Sequence, residues 1–429
     1  VSAQQLRTPF RTGVRRALGV VLSFASLNML GRLLQMAAAF IVVRSMAKTD
    51  YAWYSLANNL VGALSMFTIT GISTGLMPLA GEAAHDPVKL GGILASAGRF
   101  RAALLFFGAI VGLPVFVNLL LHSQCSLLQT SLLVLAALVS VMVNIAGQII
   151  ATPLNLARRY NIPQWESIMN STLRLVLVAA FVFAGLADAV TVMIITVLSP
   201  LPTMFGWMLP KSRAHVAYGQ EAVPATTQRL RKHFIVGLPT SLTYLFEAQI
   251  ASFIIGYIGS LDKVADLGAI SRVALILQVP IAVVTGVLLP RMSAEQDGRR
   301  LFRMWVQSSG LALVFGAFIL LCGWLSKTYL LMLLGPEYAG LEGELVNFLA
   351  FQVFAFFVTV VQTPIQSKGW VRHSWVRPVF VFGSQALAAS LLDLSTVHGA
   401  IGLMWAGSIG NMLLNCFLLF NGWRGRASL

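Results

Sequence analysis

Apolar runs of about 20 residues, the length that spans a bilayer core, recur from one end of this sequence to the other. Short charged connections separate them. Lipid offers no water to backbone N–H and C=O groups, so each run must satisfy them internally and fold as a helix. Composition closes the other routes. The chain is 57% hydrophobic and 10% charged, whereas soluble domains carry about 25% charged residues. That excludes a water-soluble enzyme, a disordered chain and a disulfide scaffold, and leaves an all-α polytopic membrane protein.

The runs fall near residues 17–43, 53–80, 101–121, 127–150, 165–186 and 190–210, then 234–258, 266–290, 304–326, 344–367, 375–393 and 399–421. Twelve spans are therefore expected. Only His122, Ser123 and Gln124 separate the third from the fourth. Arg7, Arg11, Arg15 and Arg16 resemble the start of a cleavable signal, but the apolar run behind them reaches Val43. A signal core takes only about 7–15 residues, so this stretch reads as a retained first span.

With both termini cytoplasmic, 23 of the 30 Lys and Arg fall on the inner side, 4 on the outer side and 3 within spans. Such a bias fixes orientation. It also explains a net charge of +15 without nucleic acid, because the basic segments face an anionic inner leaflet. The longest connection, 211–232, is basic and joins an N-terminal six-helix bundle, 1–210, to a C-terminal one, 233–429. An offset of 212 residues pairs Leu30 with Leu242, Gln35 with Glu247, Asp50 with Asp262 and Pro78 with Pro290; an offset of 211 pairs Thr152-Pro153 with Thr363-Pro364. Two halves of even span number predict parallel, pseudo-symmetric repeats with a substrate site between them.

Charge within a span costs about 2.5–3.5 kcal/mol and so demands a reason. Arg32, Arg174, Glu247 and Arg272 occupy such positions. Asn28, Arg32 and Gln35 share one face of the first span, and Thr240, Tyr244 and Glu247 one face of the seventh. Asn58 and Ser65 add polar positions in the second. The pattern predicts a hydrated cavity lined by spans 1, 2, 7 and 8. Arg32 and Glu247 would either clasp the halves together or serve transport. Three arginines against one carboxylate favour an anion, since guanidinium grips phosphate through forked hydrogen bonds.

Walker A, HExxH and Gly-x-Ser-x-Gly motifs are absent, the six histidines lie at connections or span ends, and Cys125, Cys322 and Cys416 read as unpaired buried thiols. No cofactor or metal is expected. A membrane-embedded glycan-assembly enzyme or subunit, the non-transport alternative, would need a sizeable extramembrane loop that this chain lacks.

Three local patterns carry a resemblance: Asp50-Tyr51-Ala52-x-Tyr54-Ser55-Leu56, Leu288-Leu289-Pro290-Arg291-Met292-Ser293 and Leu333-Leu334-Gly335-Pro336-Glu337-Tyr338. With twelve spans in two halves, the chain resembles the polysaccharide transporters of the multidrug/oligosaccharidyl-lipid/polysaccharide exporter (MOP) superfamily. The resemblance implies a flippase in a bacterial inner membrane that moves an undecaprenyl-pyrophosphate-linked oligosaccharide to the outer leaflet. It places Arg32 and Arg272 in a cationic cavity, with Arg174 a further contributor. The sugar would lie near Asn28, Gln35, Asn58 and Tyr244, and the prenyl chain in membrane lipid. Glu247 would partner Arg32 or carry a coupling proton or sodium ion. A monomer contacting a polysaccharide polymerase is expected. The superfamily's multidrug/cation antiporters are the transport alternative; they keep acidic residues in spans 1 and 7, where this chain has Gln35 and Glu247.

Overall fold

The computed structural model describes residues 9–157, 159–368, 370 and 374–427, and gives the backbone alone for some stretches within helices, Tyr244 among them. Among the described residues all regular structure is helical. We number the long segments α1 (Pro9–Ser45), α2 (Lys48–Glu82), α3 (Pro87–His122), α4 (Leu127–Leu156), α5 (Asn161–Phe183), α6 (Ala189–Arg213), α7 (Pro224–Ile258), α8 (Leu261–Ala294), α9 (Gly298–Leu334), α10 (Glu342–Lys368), α11 (Arg377–Leu391) and α12 (Val397–Ala427). Nine of them are long and apolar enough to cross a membrane, counted over the described residues. Outside that count stand α2 and α7, 35 residues each, and α11 with 15. The helix ends bearing most of the basic connections are called inner below.

Helix ends are set by local chemistry more sharply than by hydropathy. Asp86 caps α3 by accepting from the amides of Val88 and Lys89, with Pro87 in the first turn. The helix thus starts well before residue 101, and Arg101 is buried inside it rather than on a cytoplasmic loop. Arg377, also expected in an inner connection, is buried at the start of α11 against Asn411 and Asn415 of α12. The short turn between α3 and α4 holds because Gln124 takes a positive φ of 61° and Ser126 forms a reciprocal cap with Gln129. Of the cysteines only Cys125 is buried; Cys322 and Cys416 are exposed on α9 and α12, correcting the expectation for those two. In both α4 and α10 a Thr before the internal proline, Thr152 or Thr363, donates to the carbonyl four residues earlier.

In the N-terminal half α1 packs on α5, and α2 packs on α3, α4 and α6; in the C-terminal half α9 packs on α10, and α12 on α10 and α11. The halves meet where α2 packs against α7 and α8, and α1 against α8. One core joins them at the outer end, containing Val42 and Met46 of α1, Leu56 and Leu60 of α2, Ile255 of α7 and Ile270 of α8. Toward the inner end the core breaks into smaller clusters, one of which joins the halves through α3 and α7. Leu90, Leu94, Leu230 and Phe234 form one cluster, and Val361, Ile365, Leu414 and Leu418 another.

The connection between the halves narrows to residues 214–223, and it is folded onto the inner end of α3. Ala217 N donates to Pro87 O at 3.0 Å, and Ser96 Oγ accepts from Val223 N at 2.8 Å. Gly91 permits this approach: a Cβ there would stand 2.1 Å from the backbone oxygen of Ala217. Gly91→Val should therefore dislodge the connection and lower the thermal midpoint of the purified protein. An unchanged midpoint would show that the connection can leave α3 at no cost.

Candidate substrate-binding site

The intramembrane charges lie about 14–20 Å from the outer ends of their helices at 1.5 Å per residue. Arg174 and Arg272 come from opposite halves and meet on α2. Arg174 Nη2 donates to the hydroxyl of Tyr54 at 2.7 Å, and Arg272 Nε donates to that of Tyr51 at 3.2 Å. Tyr51 and Tyr54 are three residues apart on one face of α2, with ring centroids separated by 6.1 Å, and both are buried. Neither arginine has an acidic partner among the described residues. Two guanidinium groups therefore share one interface with only phenol oxygens to answer them. Phenols satisfy geometry but not charge.

Directly outward the interface is locked. Lys48 Nζ lies 2.8 Å from Asp266 Oδ1 and 5.5 Å from the ring centroid of Tyr338. Lys263 adds a second cation 3.7 Å from Asp266 Oδ2. Arg44 reaches the carbonyl of Met332 at 3.4 Å. Gly335, at φ 126°, turns the chain after α9 so that Tyr338 can enter the shared core. Close approach of α8 to α2 depends on Gly268, where a Cβ would stand 2.5 Å from Ser55 Oγ.

Arg32 is placed apart from Glu247. It donates to Gln35 Oε1 at 3.1 Å, along its own helix, while Asn28 Oδ1 is buried without a hydrogen-bond donor among the described residues. Glu247 Oε1 instead accepts from Ser408 Oγ of α12 at 3.4 Å. The clasp between Arg32 and Glu247 does not form, because α1 packs on α8 and α7 on α2.

Glu247 faces a polar pocket of about 340 Å³ that also takes Asn59, Gln249, Gln352, Thr359 and Asn411. Its walls come from α2, α7, α8, α10 and α12; α1, expected among them, is not part of this pocket. Asn59 faces it, and Asn58, about 100° round the helix, does not. Tyr244 shares α7 with Glu247, but its side chain lies outside the described residues. Tyr51, Tyr54 and Asn59 are what sequence reading missed. The tyrosine pair stood in the Asp50-Tyr51-Ala52-x-Tyr54 pattern, and its spacing of three was the available signal.

The sequence profile of the polysaccharide biosynthesis protein family matches residues 19–296, more than half of the chain. The chain belongs to this family. No functionally curated protein matches it significantly. As a member of the polysaccharide biosynthesis family it has the fold of MOP-superfamily proteins. An inward-facing multidrug resistance MATE transporter superposes with a TM-score of 0.69 at 16% identity, covering 92% of this chain and 95% of that one. An outward-facing MATE transporter gives 0.64 at 18% identity, with 95% of each chain covered. The lipid II flippase MurJ, in an inward closed conformation, gives 0.71 at 15% identity, covering 94% of this chain and 87% of that one.

Proposed function

We propose that this family member is a flippase with twelve spans in two pseudo-symmetric halves. It carries an undecaprenyl-pyrophosphate-linked oligosaccharide from the cytoplasmic to the outer leaflet of a bacterial inner membrane. The observation that carries the reading is the pair of guanidinium groups, Arg174 and Arg272, converging on Tyr51 and Tyr54 with no acidic partner among the described residues. Such a pair is costly in lipid and rewards an anionic guest. A pyrophosphate entering from the inner side exchanges phenol oxygens for charged ones and relieves that cost, with Arg32 contributing from α1. Asn28 and Gln35 then face the sugar, and the prenyl chain stays in lipid. Opening outward breaks the Arg272–Tyr51 and Lys48–Asp266 contacts, both of which join the halves. Reconstituted vesicles test this: fluorescent lipid-linked oligosaccharide should gain accessibility to an outside reagent with wild type and not with Arg174→Ala/Arg272→Ala. Equal rates would remove the anion-site reading.

Glu247 serves as the coupling group, reached by proton or sodium through its polar pocket. Glu247→Gln should translocate at the rate wild type shows with the ion gradient dissipated, and should no longer respond to a gradient. Full gradient stimulation in that variant would exclude coupling through this carboxylate. The same pocket favours a second reading, multidrug/cation antiport, in which a cationic drug takes the carboxylate. Drug efflux that depends on Glu247 and ignores both arginines would select it.

A further inference from the structure

The pocket at Glu247 is larger than ion coupling requires. Its volume of about 340 Å³ falls in the range of about 300–1,000 Å³ that holds small-molecule ligands, and a proton or sodium ion leaves most of it to water. Three carboxamides set its chemistry: Asn59 on α2, Gln249 on α7 and Gln352 on α10. Each side chain is partly exposed, and none makes a hydrogen bond among the described residues, so their donors and acceptors are open to a guest. Gln249 reaches across to α2: a Cβ at Gly62, one turn along from Asn59, would stand 3.4 Å from Gln249 Nε2. On the opposite wall Gln352, Ala355 and Thr359 share one face of α10, and Phe351 and Met404 add apolar surface. Among the described residues that line the pocket, Glu247 alone is charged.

That combination separates the classes of guest. A hard cation takes oxygen ligands, and amide hydrogens repel it. A cationic drug would leave the carboxamide donors unpaired, which is costly away from bulk water. A sugar ring offers hydroxyls that both donate and accept, as the two ends of a carboxamide do, and C–H faces that rest on Phe351. Position agrees with chemistry. Ser271 lines the pocket, while Arg272, the next residue of α8, is turned about 100° away and meets Tyr51. On α2, Asn59 lies inward of Tyr54 by about 7.5 Å along the helix. The pocket is therefore the neighbour of the arginine pair on its inner side.

Resting on the flippase reading, we propose that this pocket binds the sugar attached directly to the pyrophosphate. Asn59, Gln249 and Gln352 hold its hydroxyls while Arg272 holds the phosphate, and sugars further along the glycan extend toward Asn28 and Gln35. Glu247 closes the back of the pocket against Ser408. A site built to pair substrate hydroxyls rejects a guest that lacks them, because its own polar groups are then left unmade. The glycosylated lipid, and not the bare prenyl pyrophosphate, is the cargo this pocket selects.

Native mass spectrometry of the full chain tests this with undecaprenyl-pyrophosphate-linked N-acetylglucosamine and undecaprenyl pyrophosphate as separate probes. Wild type should retain the glycosylated lipid over the bare one by about 10- to 100-fold, the margin expected of three hydrogen-bonding amides. Asn59→Leu/Gln249→Met/Gln352→Met keeps the side-chain volumes and should erase that margin. It should hold the bare lipid as wild type does, which also shows that it folds. Ala355→Leu narrows the pocket without touching a polar group and should have the same effect. Arg174→Ala/Arg272→Ala should lose both lipids. Equal retention of the two lipids by wild type, or a margin that survives both pocket variants, would overturn the sugar pocket and leave the flippase reading standing so long as the arginines matter. Retention indifferent to the arginines would remove the anion site on which both readings rest. Tetraphenylphosphonium held in a Glu247-dependent way, with no preference between the lipids, would overturn the proposal in favour of a cation pocket.

Discussion

Arg272→Ala should reduce translocation of lipid-linked oligosaccharide by about 10- to 100-fold while leaving protein levels near wild type. Hydrogen bonds to a charged group are worth about 1.5–3 kcal/mol, and each 1.4 kcal/mol is tenfold. Arg272→Lys should recover part of the rate, because an ammonium keeps the charge but lacks the fork that matches phosphate. The arginine also ties the halves together through Tyr51, so the two roles must be separated. Tyr51→Phe cuts the tie and leaves the guanidinium. If Arg272 acts on the substrate, Tyr51→Phe transports at close to the wild-type rate. A loss as deep as that of Arg272→Ala would mean that the tie, and not anion binding, is what the arginine supplies.

Lys48→Ala should shift the protein toward a form open at its outer end. Asp266 is buried, its side chain 3% exposed, and that of Lys48 is 24% exposed. Removing one member of a fully buried pair costs about 3–5 kcal/mol. Partial exposure of Lys48 reduces this to about 1–3 kcal/mol, or roughly 5- to 100-fold in the ratio of conformers. Spin labels at Leu186 and Gly343, with Cys322 and Cys416 replaced by serine, report the outer separation. The variant should gain a longer-distance population, and the double exchange Lys48→Asp/Asp266→Lys should lose it. An unchanged distance distribution would show that the apolar outer core alone holds this end closed.

The membrane class and the all-helical fold were legible from sequence, because hydropathy acts locally along the chain. Resolution failed at helix ends. Asp86 and Pro87 start α3 within a stretch that hydropathy assigns to a loop, and Arg101 was miscounted as cytoplasmic for that reason. The candidate site was legible as a set of costly residues but not as a geometry. Arg174 could not be placed relative to the interface from its own helix. Glu247 was offered as a partner for Arg32 because spans 1 and 7 correspond in the repeat, yet it sits against Ser408. Asn58 was chosen over Asn59 because only packing shows which side of α2 faces the pocket.

Sequence by itself determined that this chain is a multi-pass helical membrane protein. It also determined that the chain buries more cationic than anionic charge within its spans. Both follow from transfer free energies that each residue carries wherever it lies. Only tertiary structure decided which charges meet. The interlocking of α1 with α8 and α2 with α7 brings Arg174 and Arg272 onto two tyrosines and leaves Glu247 in a separate pocket. Those pairings depend on helix rotation and crossing, which are set by side chains distant in sequence and are invisible to any local pattern.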